Sequence, residues 1–373
     1  MTNLFIGIMS GTSLDGVDVG LCSFENKACQ LIATHFLPYP AELKLALLAL
    51  HNPTENELEA AILLGNQLAK LYAAAVTDLL ASAKVDADKV TAIGCHGQTI
   101  RHRPNFEPEL SFTLQIGNNA LLAELTNITV VGDFRSRDIA AGGQGAPLVP
   151  AFHQAIFGSK EQNRAIVNIG GIANITYLAK NGTVLGFDSG PGNMLLDSWA
   201  KLRLGKDYDA NGDWAATGVV LNSLLSGMLA EPYFMLPPPK STGRDLFNDH
   251  WLKQHLLYPH LRSEDVARTL VALTVHTIHD AIAQGGIDID NGQIDEVYLC
   301  GGGAHNTLLV NSLKEMMNGQ LLATTDDLGI GVDWVEAVAF AWLAKQTIDN
   351  KPSNLPAVTG AKGLRVLGAI YPK

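Results

Sequence analysis

A single carboxylate, Asp188, stands in the run Gly186-Phe187-Asp188-Ser189-Gly190-Pro191-Gly192-Asn193. An apolar pair before it and a Gly-Pro-Gly loop after it place it at a strand end, on backbone that a small substrate can approach closely. There it can take a proton from an attacking water. A turn or helix cap uses the same residue types, and from the residues alone that is the stronger reading. Ser10-Gly11-Thr12-Ser13-Leu14-Asp15-Gly16 is a polar tip whose glycines admit phosphate oxygens to the backbone and whose hydroxyls add donors; alone, it reads better as an ordinary hairpin turn. Asn168-Ile169-Gly170-Gly171-Ile172-Ala173-Asn174 repeats that arrangement, and two such tips facing each other across a cleft would clamp a triphosphate. Cys300-Gly301-Gly302-Gly303-Ala304-His305-Asn306 follows an apolar strand and lets an adenine and ribose lie against bare backbone, although a glycine triplet alone is weak evidence. No Gly-x-x-x-x-Gly-Lys-[Ser/Thr] occurs, so phosphate is not held by a P-loop.

The elements that must position these residues follow from hydrophobic periodicity. LFIGIM and VDVGLCSF flank the first tip as two strands. Thr54 and Glu57 form a candidate capping box for a helix reaching about Lys84, with Leu58, Ile62, Gly65, Leu68, Tyr72, Ala75 and Leu79 on its apolar stripe. VTAIGCHGQTI reads as a strand entering a turn, and ITVVGDFRSRDIAAGG as a strand entering a glycine-rich loop. AIVNIGGIANITYL is the second hairpin, and a duplication becomes visible there. A helix is expected after Asn193, another from Ser263 to Ile282 with a stop at Gly285-Gly286, and a third over Trp334 to Ile348. LRVLGAI looks like a returning strand. Alternation of strands and helices predicts α/β layers. The lobes are expected at 1–128 and 129–348, with 349–373 a candidate to cross back to the first.

With 373 residues, 47% hydrophobic and 17% charged, the chain has material for two lobes and is not disordered. A formal charge of −11 argues against nucleic acid and anionic membranes as partners. Backbone N–H loops and a bound Mg²⁺ set the local potential at a nucleotide, so this balance does not exclude ATP. The four cysteines, Cys22, Cys29, Cys95 and Cys300, have neither zinc nor disulfide-framework spacing. No membrane-length apolar run and no signal-type N-terminus is present, so a cytoplasmic location is expected. Cys95-His96 is a poor dyad, because neighbours on a strand point to opposite faces. His96 reads as a cleft-wall or core histidine and His305 as structural. Trp251, Trp334 and Trp342 read as core aromatics.

Two phosphate tips and a glycine-rich adenosine turn resemble the actin and sugar-kinase superfamily, in which ATP lies in a central cleft between two duplicated RNase H-like lobes. The motifs Gly11-Thr12-Ser13-Leu14-Asp15-Gly16-Val17-Asp18, Cys95-His96-Gly97-Gln98-Thr99, Gly132-Asp133-Phe134-Arg135, Gly142-Gly143-Gln144-Gly145-Ala146-Pro147, Asp188-Ser189-Gly190-Pro191-Gly192-Asn193, Lys240-Ser241-Thr242-Gly243-Arg244 and Gly301-Gly302-Gly303-Ala304-His305-Asn306 resemble the anhydro-N-acetylmuramic acid kinases over nearly the whole chain. The resemblance implies that a 1,6-anhydro-sugar is opened by water and phosphorylated on O6 by ATP during peptidoglycan recycling, with Asp188 as general base. The expected nucleotide set is Gly11, Thr12, Ser13, Leu14, Asp15, Gly16, Val17, Asp18, Asn168, Gly170, Gly171, Gly301, Gly302, Gly303 and Asn306.

Arg135 is expected to take the lactyl carboxylate through a forked contact, with Arg137 left open and a solvated Arg137-Asp138 loop as the alternative. Thr99 and Glu336 are expected to hydrogen-bond sugar hydroxyls or the N-acetyl group, Glu336 serving equally well as a first-turn helix carboxylate. Many superfamily members head each tip with an Asp that organises Mg²⁺. Ser10 and Asn168 stand there in this chain, so Mg²⁺ is expected through water-mediated contacts and no protein ligand set. A homodimer is compatible with the resemblance. A phosphatase or exopolyphosphatase on the same fold is the main rival. A chaperone-like ATPase would need a peptide-binding extension and a sugar-sensing regulator a DNA-binding module, and neither is expected here.

Overall fold

The chain divides into two units, Met1–Ile156 with Trp334–Lys373, and Phe157–Asp333. The structure, a computed structural model, describes residues 3–373 apart from 12, 26–27, 54, 105–109, 239, 257–259, 289–292 and 318. Thr12 of the first tip and Thr54 of the expected capping box therefore lie outside the described residues.

Among the described residues the strands are β1 (Leu4–Met9), β2 (Gly16–Glu25), β3 (Ala28–Pro38), β4 (Val90–Cys95), β5 (Gln98–Arg103), β6 (Phe112–Ile116), β7 (Val130–Gly132), β8 (Arg164–Ile169), β9 (Ile172–Leu178), β10 (Val184–Pro191), β11 (Glu296–Cys300), β12 (Leu321–Thr324) and β13 (Ala369–Tyr371). The first unit's main sheet runs β13-β7-β4-β1-β2-β3 and the second unit's runs β10-β9-β8-β11-β12. In the first, β1-β2-β3 is an antiparallel meander, β1 pairs in parallel with β4, and β4 with β7. In the second, β8-β9-β10 is the meander, β8 pairs in parallel with β11, and β11 with β12. The same order and sense twice over is the duplication expected from the two hairpins, and it is the RNase H-like arrangement. β5 and β6 form a separate hairpin.

Continuous apolar runs become the central strands, because both of their faces are covered: after Leu4, every residue of β1 is buried. The edge strand β3 instead alternates between exposed and half-buried positions. The helix Val335–Ile348 buries nearly every position from Val335 to Ala344 and packs on β1 and β4. Glu57–Ala83 buries Leu68, Tyr72, Ala75 and Leu79 as its period predicts, but Leu58 and Ile62 are exposed, so the apolar stripe starts a turn or two later than expected. In the second unit, Val266, Leu270, Val271, Leu273 and Ile278 of the helix Ser263–Asp288 lie in the core.

Three expectations are corrected. The Ser263 helix does not stop at Gly285-Gly286 but continues to Asp288. The glycine serves packing there: a Cβ on Gly285 would lie 2.0 Å from the Tyr177 ring, whose hydroxyl donates to the Ala281 carbonyl. The stretch after β7 is a short helix, Ser136–Ala140, where a loop was expected. The division of the chain also differs from one at residue 128, because β7 pairs with β4 and β13 in the first unit. Trp251 and Trp342 are buried as expected, whereas Trp334 is half-buried. Among the described residues no helix is long and apolar enough to cross a membrane.

Candidate active site

In the first unit the tip between β1 and β2 is braced from beneath. Ser10 is buried and shares a hydrogen bond with the Tyr39 hydroxyl; it also bonds Gln98 Oε1, while Gln98 Nε2 donates to the Gly11 carbonyl at 3.2 Å. Leu14 takes a left-handed φ of 57° and is wholly buried, as is Val17. Their side chains are core, so any contact they make with phosphate is through backbone. Gly16 is required by β3, since a Cβ there would lie 2.5 Å from the Leu37 carbonyl oxygen. Asp15 pairs with Lys44 at 2.8 Å on the surface, a contact of little energetic weight. Ser13 is exposed, Asp18 lies half-buried in β2, and a Cβ on Gly11 would meet only Ser13, at 3.5 Å from Oγ. The tip thus offers bare backbone at Gly11 and a hydroxyl at Ser13.

Arg135, the expected anion group, lies in the same unit on the segment after β7. Its Nη1 donates to the Gly145 carbonyl at 2.8 Å, and Nε and Nη2 donate to His96 Nε2 at 3.3 and 3.0 Å. Of five guanidinium N–H groups this leaves one on each terminal nitrogen, the pair a carboxylate takes in a forked contact. Burial pulls its pKa down to about 10, with the Glu336 carboxylate opposing, so it remains cationic at neutral pH. Burial likewise raises the Glu336 carboxyl, and Arg135 pulls it back. Glu336 is in the first turn of its helix, which fits both roles open to it. Thr99, on β5, accepts from Gln115 Nε2 at 3.2 Å. Arg137 is exposed, but Asp138 is fully buried, which corrects the solvated-loop alternative for that residue.

His96 is the core histidine expected, 4.8 Å from the Phe340 ring centre. Burial and the charge of Arg135 hold it neutral, moving its pKa from 6.5 to about 3. Burial does the same to His153. The unfolded chain takes up these protons near pH 6.5 and the folded chain refuses them until about 3, so stability falls as pH drops through that window. His96→Gln and His153→Gln should each shallow the fall in melting temperature between pH 7 and pH 4; an unchanged slope contradicts this.

In the second unit the tip between β8 and β9 is closed by the segment after β10. Asn193 N–H donates to the Gly170 carbonyl at 2.8 Å, Gly192 and Met194 N–H to the Gly171 carbonyl at 2.9 and 3.1 Å, and Asn193 Nδ2 to the Ile169 carbonyl at 3.2 Å. The glycine-rich turn after β11 packs against the same hairpin. A Cβ on Gly301 (φ 79°) would lie 2.2 Å from Asn168 Oδ1, and one on Gly303 would lie 2.2 Å from Ile169 Cγ2. Gly302 differs: a Cβ there meets only Asn193 Nδ2, at 3.8 Å. Asn306 caps the helix Thr307–Met316 by accepting from Leu309 N–H at 3.1 Å. His305 is exposed and bonds Asp333 at 2.9 Å.

Asp188 lies inside β10, not at its end, beside a bulge between Asp188 and Gly190. Its Oδ2 accepts from Thr242 N–H at 3.0 Å, and the Ser241 side chain is a second partner. Its own N–H donates to the Lys240 carbonyl at 3.2 Å, and its carbonyl accepts from the Tyr233 hydroxyl at 2.7 Å. Lys240 Nζ fastens that loop by donating to the Tyr233 and Phe234 carbonyls at 3.3 and 3.0 Å, over the Phe187 and Tyr233 rings. Burial raises the Asp188 carboxyl above its ordinary value, and the Thr242 and Ser241 bonds pull it back. The helix half of the cap alternative fails, since the carboxylate sits on a strand; its bond from Thr242 N–H is what the turn half describes. Sequence reasoning gave no role to Tyr233, Lys240, Ser241, Thr242 or Gln98; the polar run Lys240–Thr242 and the Gln98 motif were the available signals.

Duplicated RNase H-like units, each with a glycine-bearing tip after its first strand, are the frame of the actin and sugar-kinase superfamily. The sequence profile of the family described as anhydro-N-acetylmuramic acid kinase matches residues 3–373. The chain belongs to that family. It is 54% identical to the anhydro-N-acetylmuramic acid kinase of Nitrosomonas europaea, covering 99% of both chains. To that of Coxiella burnetii it is 49% identical, over 98% of this chain and 97% of the relative. Among solved structures it is similar to the Acidaminococcus fermentans (R)-2-hydroxyglutaryl-CoA dehydratase component A, at 10% identity and a TM-score of 0.48 over 91% of this chain and 96% of that one. The family match and these two relatives give the phosphatase alternative no support.

Proposed function

We propose that this chain is a kinase that opens 1,6-anhydro-N-acetylmuramic acid with water and places the γ-phosphoryl group of ATP on O6, giving N-acetylmuramic acid 6-phosphate and ADP. The observation that carries this reading is the half-buried Asp188, held by donors from Ser241 and Thr242 in a chain that belongs to this kinase family throughout its length. Asp188 takes a proton from the water that attacks C1. The C1–O6 bond breaks, O6 attacks the γ-phosphorus, and the bond to ADP breaks; the proton then leaves Asp188 for solvent. Arg135 receives the lactyl carboxylate, and Thr99 and Glu336 bind the sugar's polar groups.

Gly170 and Gly171 offer the nucleotide backbone donors, and its adenosine lies on Gly302, the one glycine of its turn with room above it; Gly11 and Ser13 are the corresponding donors of the first unit's tip. Among the described residues no group of three His, Cys, Asp or Glu side chains stands ready for a metal, and Ser10 is already engaged by Tyr39 and Gln98. A Mg²⁺ carried on the phosphates with its own waters would neutralise developing charge there. Gly302→Ala should keep the wild-type melting temperature yet raise KM for ATP by roughly 10-fold, because the added methyl enters the adenosine's space. An unchanged KM would remove that turn from the nucleotide site. ADP release measured with and without the anhydro-sugar tests the reading as a whole: release should require the sugar, and equal release without it would overturn the proposal.

A further inference from the structure

Neither the nucleotide contacts nor the proton transfer uses Asp138, yet its carboxylate is wholly buried and accepts three hydrogen bonds. Oδ2 accepts from Gly145 N–H at 2.8 Å, and Oδ1 accepts from Asn354 Nδ2 at 2.8 Å and Thr359 Oγ1 at 2.9 Å. The Gly145 residue is gripped from its other side by Arg135, whose Nη1 donates to its carbonyl. Gly145 has a φ of 68°, a conformation that glycine adopts without strain and that aims N–H and carbonyl at these two partners. The C-terminal stretch is laced to the same loop, Gln144 N–H donating to the Thr359 carbonyl at 2.8 Å and Lys362 N–H to the Ala141 carbonyl at 2.8 Å, and within that stretch Arg365 N–H donates to Asn354 Oδ1 at 2.6 Å.

We propose that Asp138 is a positioning residue for substrate recognition: by fixing Gly145 it sets the rotation of the Arg135 guanidinium, and Asn354 and Thr359 hold Asp138 in place. The proposal rests on the reading of Arg135 as the group that takes the substrate's carboxylate. The physical case is a relay of directional bonds. A guanidinium donating to one carbonyl and one imidazole has its plane fixed by both, and a shift of that carbonyl turns the free fork away from a ligand. An Asn at 138 keeps the shape but exchanges one acceptor oxygen for a donor, so it cannot serve both Gly145 N–H and the Asn354–Thr359 pair.

The test compares 1,6-anhydro-N-acetylmuramic acid with 1,6-anhydro-N-acetylglucosamine, which lacks the lactyl carboxylate, as substrate or as competitor. Asp138→Asn and Thr359→Val should raise KM for the first sugar by roughly 10-fold while leaving KM for ATP, and the affinity for the second sugar, at wild-type values. Thr359→Ser, which restores the hydroxyl, should recover the first KM. A general loosening of the fold would instead weaken both sugars and ATP together, and that result overturns the proposal. So does wild-type discrimination in both variants. If Asp138→Asn does not fold, the Thr359→Val and Thr359→Ser pair carries the same comparison. Arg135→Ala separates the two claims. If it leaves discrimination between the sugars intact, the carboxylate reading of Arg135 fails and this proposal with it; if it abolishes discrimination that the Asp138 and Thr359 variants retain, only this proposal fails.

Discussion

Asp188→Asn should lower kcat by about 1,000-fold, within the range that a positioned general base contributes, while ATP still binds with wild-type affinity. The amide cannot accept a proton from the attacking water, but it retains an oxygen for Thr242 N–H and so preserves the loop. The pH profile has a defined sign. The base works deprotonated, and burial raises its carboxyl, so activity should fall with decreasing pH at a point above an ordinary aspartate's. Ser241→Ala removes one of the bonds that favour the ionised form, and should move that fall to higher pH still. Wild-type turnover in Asp188→Asn, or a fall unmoved by Ser241→Ala, would take Asp188 out of the base role.

Arg135→Ala should raise KM for 1,6-anhydro-N-acetylmuramic acid by roughly 10- to 100-fold, the equivalent of about 1.5–3 kcal/mol for hydrogen bonds to a charged group. Arg135→Lys should recover little of this, because an ammonium cannot present the paired N–H groups of the fork. The effect should appear in KM for the sugar and not in KM for ATP, since the bonds of Arg135 go to His96 and Gly145 and none goes to a residue of the nucleotide tip. Isothermal titration of each ligand separates the two. Equal loss of both affinities would identify Arg135 as a structural residue of the first unit.

Much of this was legible in the sequence. The hairpins around Gly11 and Gly170 announced themselves as apolar runs joined by polar turns, and their repetition revealed the duplicated sheets. What failed did so where tertiary packing overrides local signals. Gly285 looked like a helix stop because nothing local shows that Tyr177 occupies the space a side chain would fill. The tip motif likewise does not say which way the side chains of Leu14 and Val17 point; both point into the core, which leaves their backbone as the part open to phosphate. The Asp188 motif showed a carboxylate in an approachable place, but its partners Ser241 and Thr242 lie more than fifty positions away. A solvated Asp138 is the alternative the sequence leaves open, because charged side chains usually face water, but its three donors come from a nearby loop and from the distant C-terminal stretch. In each case the missing information was a long-range pairing, which periodicity and motif spacing do not contain.

The central claim is that one water, deprotonated by Asp188, attacks the sugar carbon while the released oxygen takes the phosphoryl group. Turnover in ¹⁸O-labelled water tests it directly, provided the reaction is quenched before the anomeric oxygen exchanges with solvent. The label is predicted on C1 of a sugar carrying unlabelled phosphate on O6. Label in the phosphoryl group or in free phosphate would mean that water attacks phosphorus, and would contradict the account.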